Sequence, residues 1–510
     1  MLAYIKRISS VILLCALVLS LSSCFIIINR PEETDQVHTT EAPSTEPTPV
    51  VTAPPAIEDE GISRSERARR RLNSLVNFDM DGTTLLLVTA DAGIPAPIGS
   101  SRYLDKERWN ALNEVSEKYG AELIVTRESR VYMKTKLLDA KTSGLYYADI
   151  VAFPSTELGT FFADDLLYDI SKLPFVSPYE EYYYSMATDA ATVDGHIYGV
   201  AGESCVDFGD FGCIYVNMSK AAALGFGDIH TTVDDGLWTY DKMLEYIKLY
   251  EYSPDGEYVG DAAFSSVRER GDAVRMMFES TGVRYVYSED GEQVLYSPVG
   301  RVEAAVDSLR QLFYKGNYGF VMNDEDVDKY WDVELEELLE PGQAELMRDG
   351  KGVFLLGTLS DLSRVYISDD PIVPIPVPKL NGEQAEYSTP TAGETMMYSI
   401  PADGANITES GIFVEALNVR AYEAVSEAYI TNALHYYIRH ERTVEMMDLI
   451  MKRPYFDMAV NFGSQYGALA QGAWKTIVQA AETDFNVLDV HFWYYYGARD
   501  TLEEIKGSAK

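Results

Sequence analysis

The sequence predicts an α/β protein built on parallel, doubly wound sheets, and three observations point there. Short continuous apolar runs, such as Thr84 to Thr89 (TLLLVT) and Ala148 to Phe153 (ADIVAF), read as strands covered on both faces. Amphipathic stretches separate them, with Trp109, Leu112, Val115 and Tyr119 at helical spacing over about 103–119. Strands alternating with helices in this way imply parallel sheets, because parallel neighbours need a long crossover. At 510 residues, 46% hydrophobic, the chain has material for two or more domains, or for two lobes of one unit.

The elements follow in order. Lys6-Arg7, an apolar run from Val11 to Leu21, and Leu21-Ser22-Ser23-Cys24 describe a secretory signal over residues 1–23. A cysteine directly after small residues resembles the bacterial lipobox. That resemblance implies cleavage before Cys24, diacylglycerol on its sulfur, and a mature chain tied to the outer face of the cytoplasmic membrane. An uncleaved anchor is the alternative, since Ile8 to Ile28 is long enough to span a bilayer. Residues 24–75 read as a tether. Pro31, Pro43, Pro47, Pro49, Pro54 and Pro55 stand among Thr and acidic residues, a composition that cannot bury a core. Arg64, Arg67, Arg69, Arg70 and Arg71 then open either a basic helix or a patch for anionic headgroups.

Residues 76–510 form the folded body. Glu122 to Thr126 reads as the second strand, Val131 to Ser143 as a helix, and Cys213 to Met218 (CIYVNM) as a later strand. Trp238-Thr239-Tyr240-Asp241 opens a helix, with Thr239 as N-cap and Asp241 in the first turn. Val283 to Leu295 reads as a hairpin turning on Ser288 to Gly291, and Gly352 to Leu356 as a strand. The run PIVPIPVP at 371–378 must be extended, because proline fixes φ and excludes helix. Residues 410–453 read as two long helices.

The order of these pieces resembles the extracellular solute-binding proteins of family 1, the carbohydrate-type ABC importers, from about Asp79 to Tyr496. The resemblance rests on Asp79-Met-Asp81-Gly82 before strand one, Ala148-Asp149-Ile150-Val151, Leu166 to Ile170, and Asp194 to Val200 (DGHIYGV). Tyr215-Val216-Asn217, Trp238 to Asp241, Met347 to Phe354 (MRDGKGVF) and Ile375 to Pro378 continue it. Ala201 departs from the usual proline, and Gly357-Thr358-Leu359 lacks the stacking tryptophan that often follows the glycine, which puts a maltodextrin-like ligand in doubt. The resemblance implies a two-lobed periplasmic-binding-protein-like fold of type II, with hinge crossovers and a central ligand cleft. Lobe one would hold about 80–210 and 393–450; lobe two would hold about 213–390 and the C-terminal helices. It further implies a monomer that captures a carbohydrate, delivers it to ABC permease subunits, and uses no cofactor or metal. The implied ligand contacts are Asp91, Phe153, Ser155, Thr156, Glu203, Asp207, Asp210, Phe211, Thr358 and Trp474, with Phe208 as a further stacking face. Carboxylates suit sugar hydroxyls and aromatic faces suit pyranose rings.

Composition narrows the alternatives. A net charge of −38 repels phosphates and argues against nucleic acid partners. Phe78-Asp79-Met80-Asp81-Gly82-Thr83 fits the D-x-D-G-T of haloacid-dehalogenase-type phosphatases, but that chemistry needs a buried strand before the first Asp, and here the apolar strand follows. A ligand-sensing or adhesion lipoprotein with the same cleft is the remaining rival. Cys205 and Cys213, eight apart, leave open whether they form a disulfide.

Overall fold

The computed structural model describes residues 26–27, 62–75, 78–90, 103–251, 262–289, 292–295 and 299–315. It also describes short pieces between 319 and 350, and 352–509 except 367, 369, 393 and 438–441. Cys24, Asp91, the signal segment and tether residues 28–61 lie outside the described residues.

Helix α1 (Arg64–Ser74) opens the body, capped by the Ser63 side chain, which accepts from Glu66 N. The lobe-one elements follow: β1 (Thr84–Ala90), α2 (Tyr103–Tyr119), β2 (Glu122–Glu128), α3 (Arg130–Ser143) and β3 (Ile150–Pro154). Ser129 caps α3 by accepting from Tyr132 N, and Gly144 ends it at φ 68, a left-handed conformation that glycine adopts without strain. β1 pairs in parallel with β2 on one side and β3 on the other, as the alternating pattern predicts. All five residues of β3 are buried, which is why its sequence is a continuous apolar run.

The second five-stranded sheet and the elements around it, called lobe two, comprise β4 (Gly212–Asn217), α4 (Tyr240–Glu251), β5 (Ala262–Ser266), α5 (Arg270–Ser280), the hairpin β6 (Val286–Glu289) and β7 (Glu292–Leu295), α6 (Val299–Arg310), β8 (Gly352–Thr358) and β9 (Ile372–Ile375). β5 and β8 are parallel, whereas β4 runs antiparallel to β8 and β9. The direction of β4 departs from an all-parallel sheet, because this strand enters from the crossover as the chain leaves lobe one. β9 is the sheet edge, which is where its Pro374 is tolerated. Thr239 caps α4 as expected, accepting from Lys242 N at 3.3 Å. Trp238 is fully buried and donates Nε1 to Pro376 O at 2.8 Å, a structural role.

The chain then returns. β10 (Met396–Ser399) adds antiparallel to β3 in the first sheet. α7 (Ile407–Tyr436), α8 (Thr443–Lys452), α9 (Gly467–Glu482) and α10 (Val487–Ser508) complete the body. α7 packs on α1 and α2, while α9 packs on α5, α6 and α10. Among the described residues no helix is long and apolar enough to cross a membrane. Cys205 and Cys213 are both buried free thiols, so no disulfide joins them.

The D-x-D-G-T segment is a turn at the amino end of β1. Asp79 Oδ1 accepts from Asp81 N at 2.9 Å, and Asp81 and Gly82 take positive φ of 47° and 77°. A phosphatase nucleophile would stand at the carboxyl end of that strand. Arginines in the run pair with acids distant in sequence. Arg64 pairs with Glu203, Arg67 with Glu181, and Arg71 with Glu415, docking α1 onto lobe one. Residues 64–74 therefore belong to the folded body rather than to the tether.

Candidate functional site

In an open sheet the groups that follow parallel strands collect at one edge, where backbone dipoles and loop side chains converge. In lobe one these are Arg130, after β2, and Ser155, Thr156 and Glu157, after β3. Arg130 grips Glu394 with two nitrogens, at 2.7 and 2.5 Å, and reaches Glu157 at 3.4 Å. Ser155 N donates to Thr395 O at 2.7 Å, which sets the β3 end against the returning chain.

In lobe two the matching edge is formed by Arg268, after β5, and by Thr358 to Asp361, after β8. Asp361 and Thr358 make a reciprocal capping box, so this corner is rigid. The crossover loop docks on it: Leu359 N donates to Phe211 O at 2.9 Å, and a Cβ on Gly209 would stand 3.5 Å from the Ser360 Cβ. Asp210 O accepts from Ala392 N at 2.8 Å, joining the two crossing segments. Arg275 of α5 donates to Thr391 O at 3.0 Å, binds Glu279 at 2.7 Å, and lies 5.9 Å over the half-buried ring of Trp474. Arg268 Nε is buried with no hydrogen-bond partner among the described residues.

The residues expected from the sequence separate into two groups. Thr156, Asp207, Asp210 and Trp474 are half-buried near the strand ends. Ser155 is largely buried beside them, and Asp207 Oδ1 accepts from Gly209 N at 2.9 Å. Phe153, Phe208, Phe211 and Thr358 are core instead. Phe153 packs 4.4 Å from Phe161, Phe208 packs 5.5 Å from Phe211, and Thr358 is spent on its capping box. None of the four offers a free face: Phe153 and Thr358 sit in strands covered on both sides, and Phe208 and Phe211 fold into the core from the turn before β4. Glu203 is likewise buried: it pairs with Arg64 and accepts from Ser426 N at 3.0 Å, and burial pushes its carboxyl pKa up in spite of Arg64.

Arg130, Glu157, Glu394, Arg268 and Arg275 were not singled out by the sequence. Charged residues directly after a strand signal such positions, and Arg130 follows the β2 run by two residues. Glu394 and Arg275 carry no such mark, since their places depend on crossings far apart in sequence. A cavity of about 590 Å³ shares no lining residue with these strand ends. Tyr182 to Met186, Glu203, Tyr422, Glu386, Asp448 and Met451 to Pro454 line it.

No model of a known protein family matches the chain, and no curated protein matches it. Solved structures do. The sugar-binding protein MalE from the phytopathogen Xanthomonas citri matches 83% of this chain and 98% of its own, with a TM-score of 0.53 at 12% identity. The fold is that of a solute-binding protein. Two other matches are the galacto-N-biose/lacto-N-biose I-binding protein of the ABC transporter from Bifidobacterium longum and an extracellular solute-binding protein of family 1 from Alicyclobacillus acidocaldarius. The first covers 84% of this chain and 98% of its own, with a TM-score of 0.49 at 13% identity. The second covers 84% and 100%, with a TM-score of 0.48 at 9% identity. The two strand-end edges described above belong to two separate five-stranded sheets, joined by the segments around Asp210 and Thr391.

Proposed function

We propose that this chain is the substrate-binding lipoprotein of an ABC importer, holding an extracellular carbohydrate between its two strand-end edges and presenting it to the permease. The observation that carries the reading is the pairing of Arg275 with the half-buried Trp474 ring, beside Thr391 on the second of the two crossing segments. Sugars need this combination: an aromatic face for the apolar side of a pyranose, and charged groups for bidentate hydrogen bonds to vicinal hydroxyls. Arg130, Glu157 and Glu394 supply such groups from lobe one, and the unpaired Arg268 Nε supplies a donor from lobe two. The Xanthomonas protein of the same fold is named for sugar binding. Binding without reaction is the expected chemistry, with ligand favouring the closed arrangement of the lobes. Lipid on Cys24 would keep the captured solute near the membrane.

A thermal-shift screen of mono- and oligosaccharides, amino acids and peptides tests the reading, since ligand that binds only the folded state raises the melting temperature. A saccharide should give the shift, and Trp474→Ala should weaken it by about tenfold or more, in line with the loss of a buried aromatic contact. If amino acids or peptides alone raise the transition, the carbohydrate assignment fails.

A further inference from the structure

Lys379 directly follows the extended 371–378 run. Its backbone is fixed on both sides: Lys379 N donates to Trp238 O at 3.1 Å, and Tyr240 N donates to Lys379 O at 2.9 Å. The residue is 4% exposed. Even so, among the described residues its ammonium has no carboxylate, carbonyl or hydroxyl partner. It faces the ring of Tyr387, 5.3 Å from the centroid. Gly236, at φ +69, leaves room for it, since a Cβ there would stand 2.9 Å from Nζ. Burial pulls the Lys379 pKa down, and no neighbouring acid offsets the shift.

The side chain lines a cavity of about 280 Å³, together with Lys452, Arg453, Asp234 and Glu386. Both acids are already engaged. Asp234 is held by Arg442, and Glu386 by Arg453 with Lys452 at 3.6 Å. Three cations thus line one cavity in a chain whose net charge is −38. The Lys379 ammonium opens into this cavity with no acceptor of its own among the described residues, so an anion there would gain a charge-assisted partner at little cost to existing contacts. The Arg453 guanidinium adds a planar fork suited to oxyanions.

We propose that this cavity is a binding site for a tetrahedral oxyanion, inorganic phosphate or a phosphomonoester, held by Lys379 with Lys452 and Arg453. Glu386 competes for the same two cations and acts as the internal stand-in when the anion is absent. The site shares no residue with the strand-end edges and does not depend on the carbohydrate reading.

Phosphate, sulfate and glycerol 1-phosphate are titrated against the full-length chain at constant ionic strength in chloride, followed by calorimetry and thermal melting. Wild type should show a saturable rise in melting temperature with phosphate. Lys379→Met, which keeps the side-chain volume, should fold and lose that response, binding phosphate about tenfold more weakly or worse. Glu386→Gln should bind phosphate more tightly than wild type, because the competing carboxylate is gone. Glycerol 1-phosphate binding more tightly than phosphate assigns the site to a phosphomonoester; equal or weaker binding assigns it to the free anion. A wild type without a saturable response overturns the proposal, and so does a phosphate affinity unchanged in Lys379→Met or in Glu386→Gln.

Discussion

Asp169 shows how one side chain sets a pH dependence. Its carboxylate is almost wholly covered and accepts from Ser171 N, Ser171 Oγ and Ile197 N, with His196 Nδ1 at 2.6 Å. Burial works to raise its pKa, but the Ser171, His196 and Ile197 contacts outweigh burial, and the net shift is downward. An acid whose folded pKa lies below its unfolded value stabilises the fold above the unfolded pKa, and that contribution fades as pH falls through the folded value. Between about pH 5 and pH 3, Asp169→Asn should therefore lose melting temperature less steeply than wild type. Parallel slopes would mean that Asp169 does not carry the acid sensitivity. At this scale the sequence was only partly legible. Tyr182 and Tyr183 are core residues. Phe153 and Phe211 stand where a strand end meets a cleft in the sequence, yet in three dimensions their rings turn inward. A linear pattern places a residue at a strand end, but the covering helices decide which way it points.

Helix α1 makes the same point for an element. Five arginines in eight residues resemble a membrane-facing patch, but their partners Glu203, Glu181 and Glu415 lie more than a hundred residues away, where no local pattern records them. The three pairs are unequal. Glu415 is fully buried and accepts from Arg71 Nε at 3.0 Å, Tyr182 Oη at 2.6 Å, Tyr183 Oη at 2.9 Å and Ser177 N at 3.1 Å. Arg71→Met would strand that buried carboxylate and should cost about 3–5 kcal/mol of unfolding free energy. Arg67→Met breaks a pair whose acid, Glu181, is 39% exposed, and should cost about 0.2–1 kcal/mol. Urea denaturation of the two variants measures both, and equal losses would show that α1 is not anchored through Glu415. The strands were the most legible elements. β1, β2, β3, β4 and β8 lie within two residues of their apolar runs, because burial on both faces writes a continuous hydrophobic signal. β10 escaped notice: four residues, MMYS, are too short to stand out, and the strand exists only because β3 offers it an open edge.

For the whole molecule, the two-lobed arrangement was legible because segments such as Tyr215 to Asn217 at the crossover strand and Ile375 to Pro378 resemble those of the solute-binding proteins. The ties that hold the lobes at their present angle were not. Arg284 of lobe two binds Asp189 of lobe one at 3.0 Å, and Asp194 N donates to Gln293 Oε1 at 3.0 Å. Phe162 meets Phe462 edge-on at 5.4 Å, while Gly159 lies so close to the Phe462 backbone that a Cβ would come within 2.7 Å of its Cα. Such ties stabilise one lobe angle against others, and ligand closure has to work against them or with them. If lobe one and lobe two swing about the crossings, a saturating saccharide should lower the radius of gyration in small-angle X-ray scattering. Asp189→Asn, which removes one half-buried interlobe ion pair, should shift the unliganded chain towards a larger radius. Because such a pair contributes about 0.2–1 kcal/mol, the same variant should weaken saccharide binding by no more than about fivefold. A radius unchanged by ligand in both proteins would mean that the lobes form one rigid body, and capture would then have to proceed without closure.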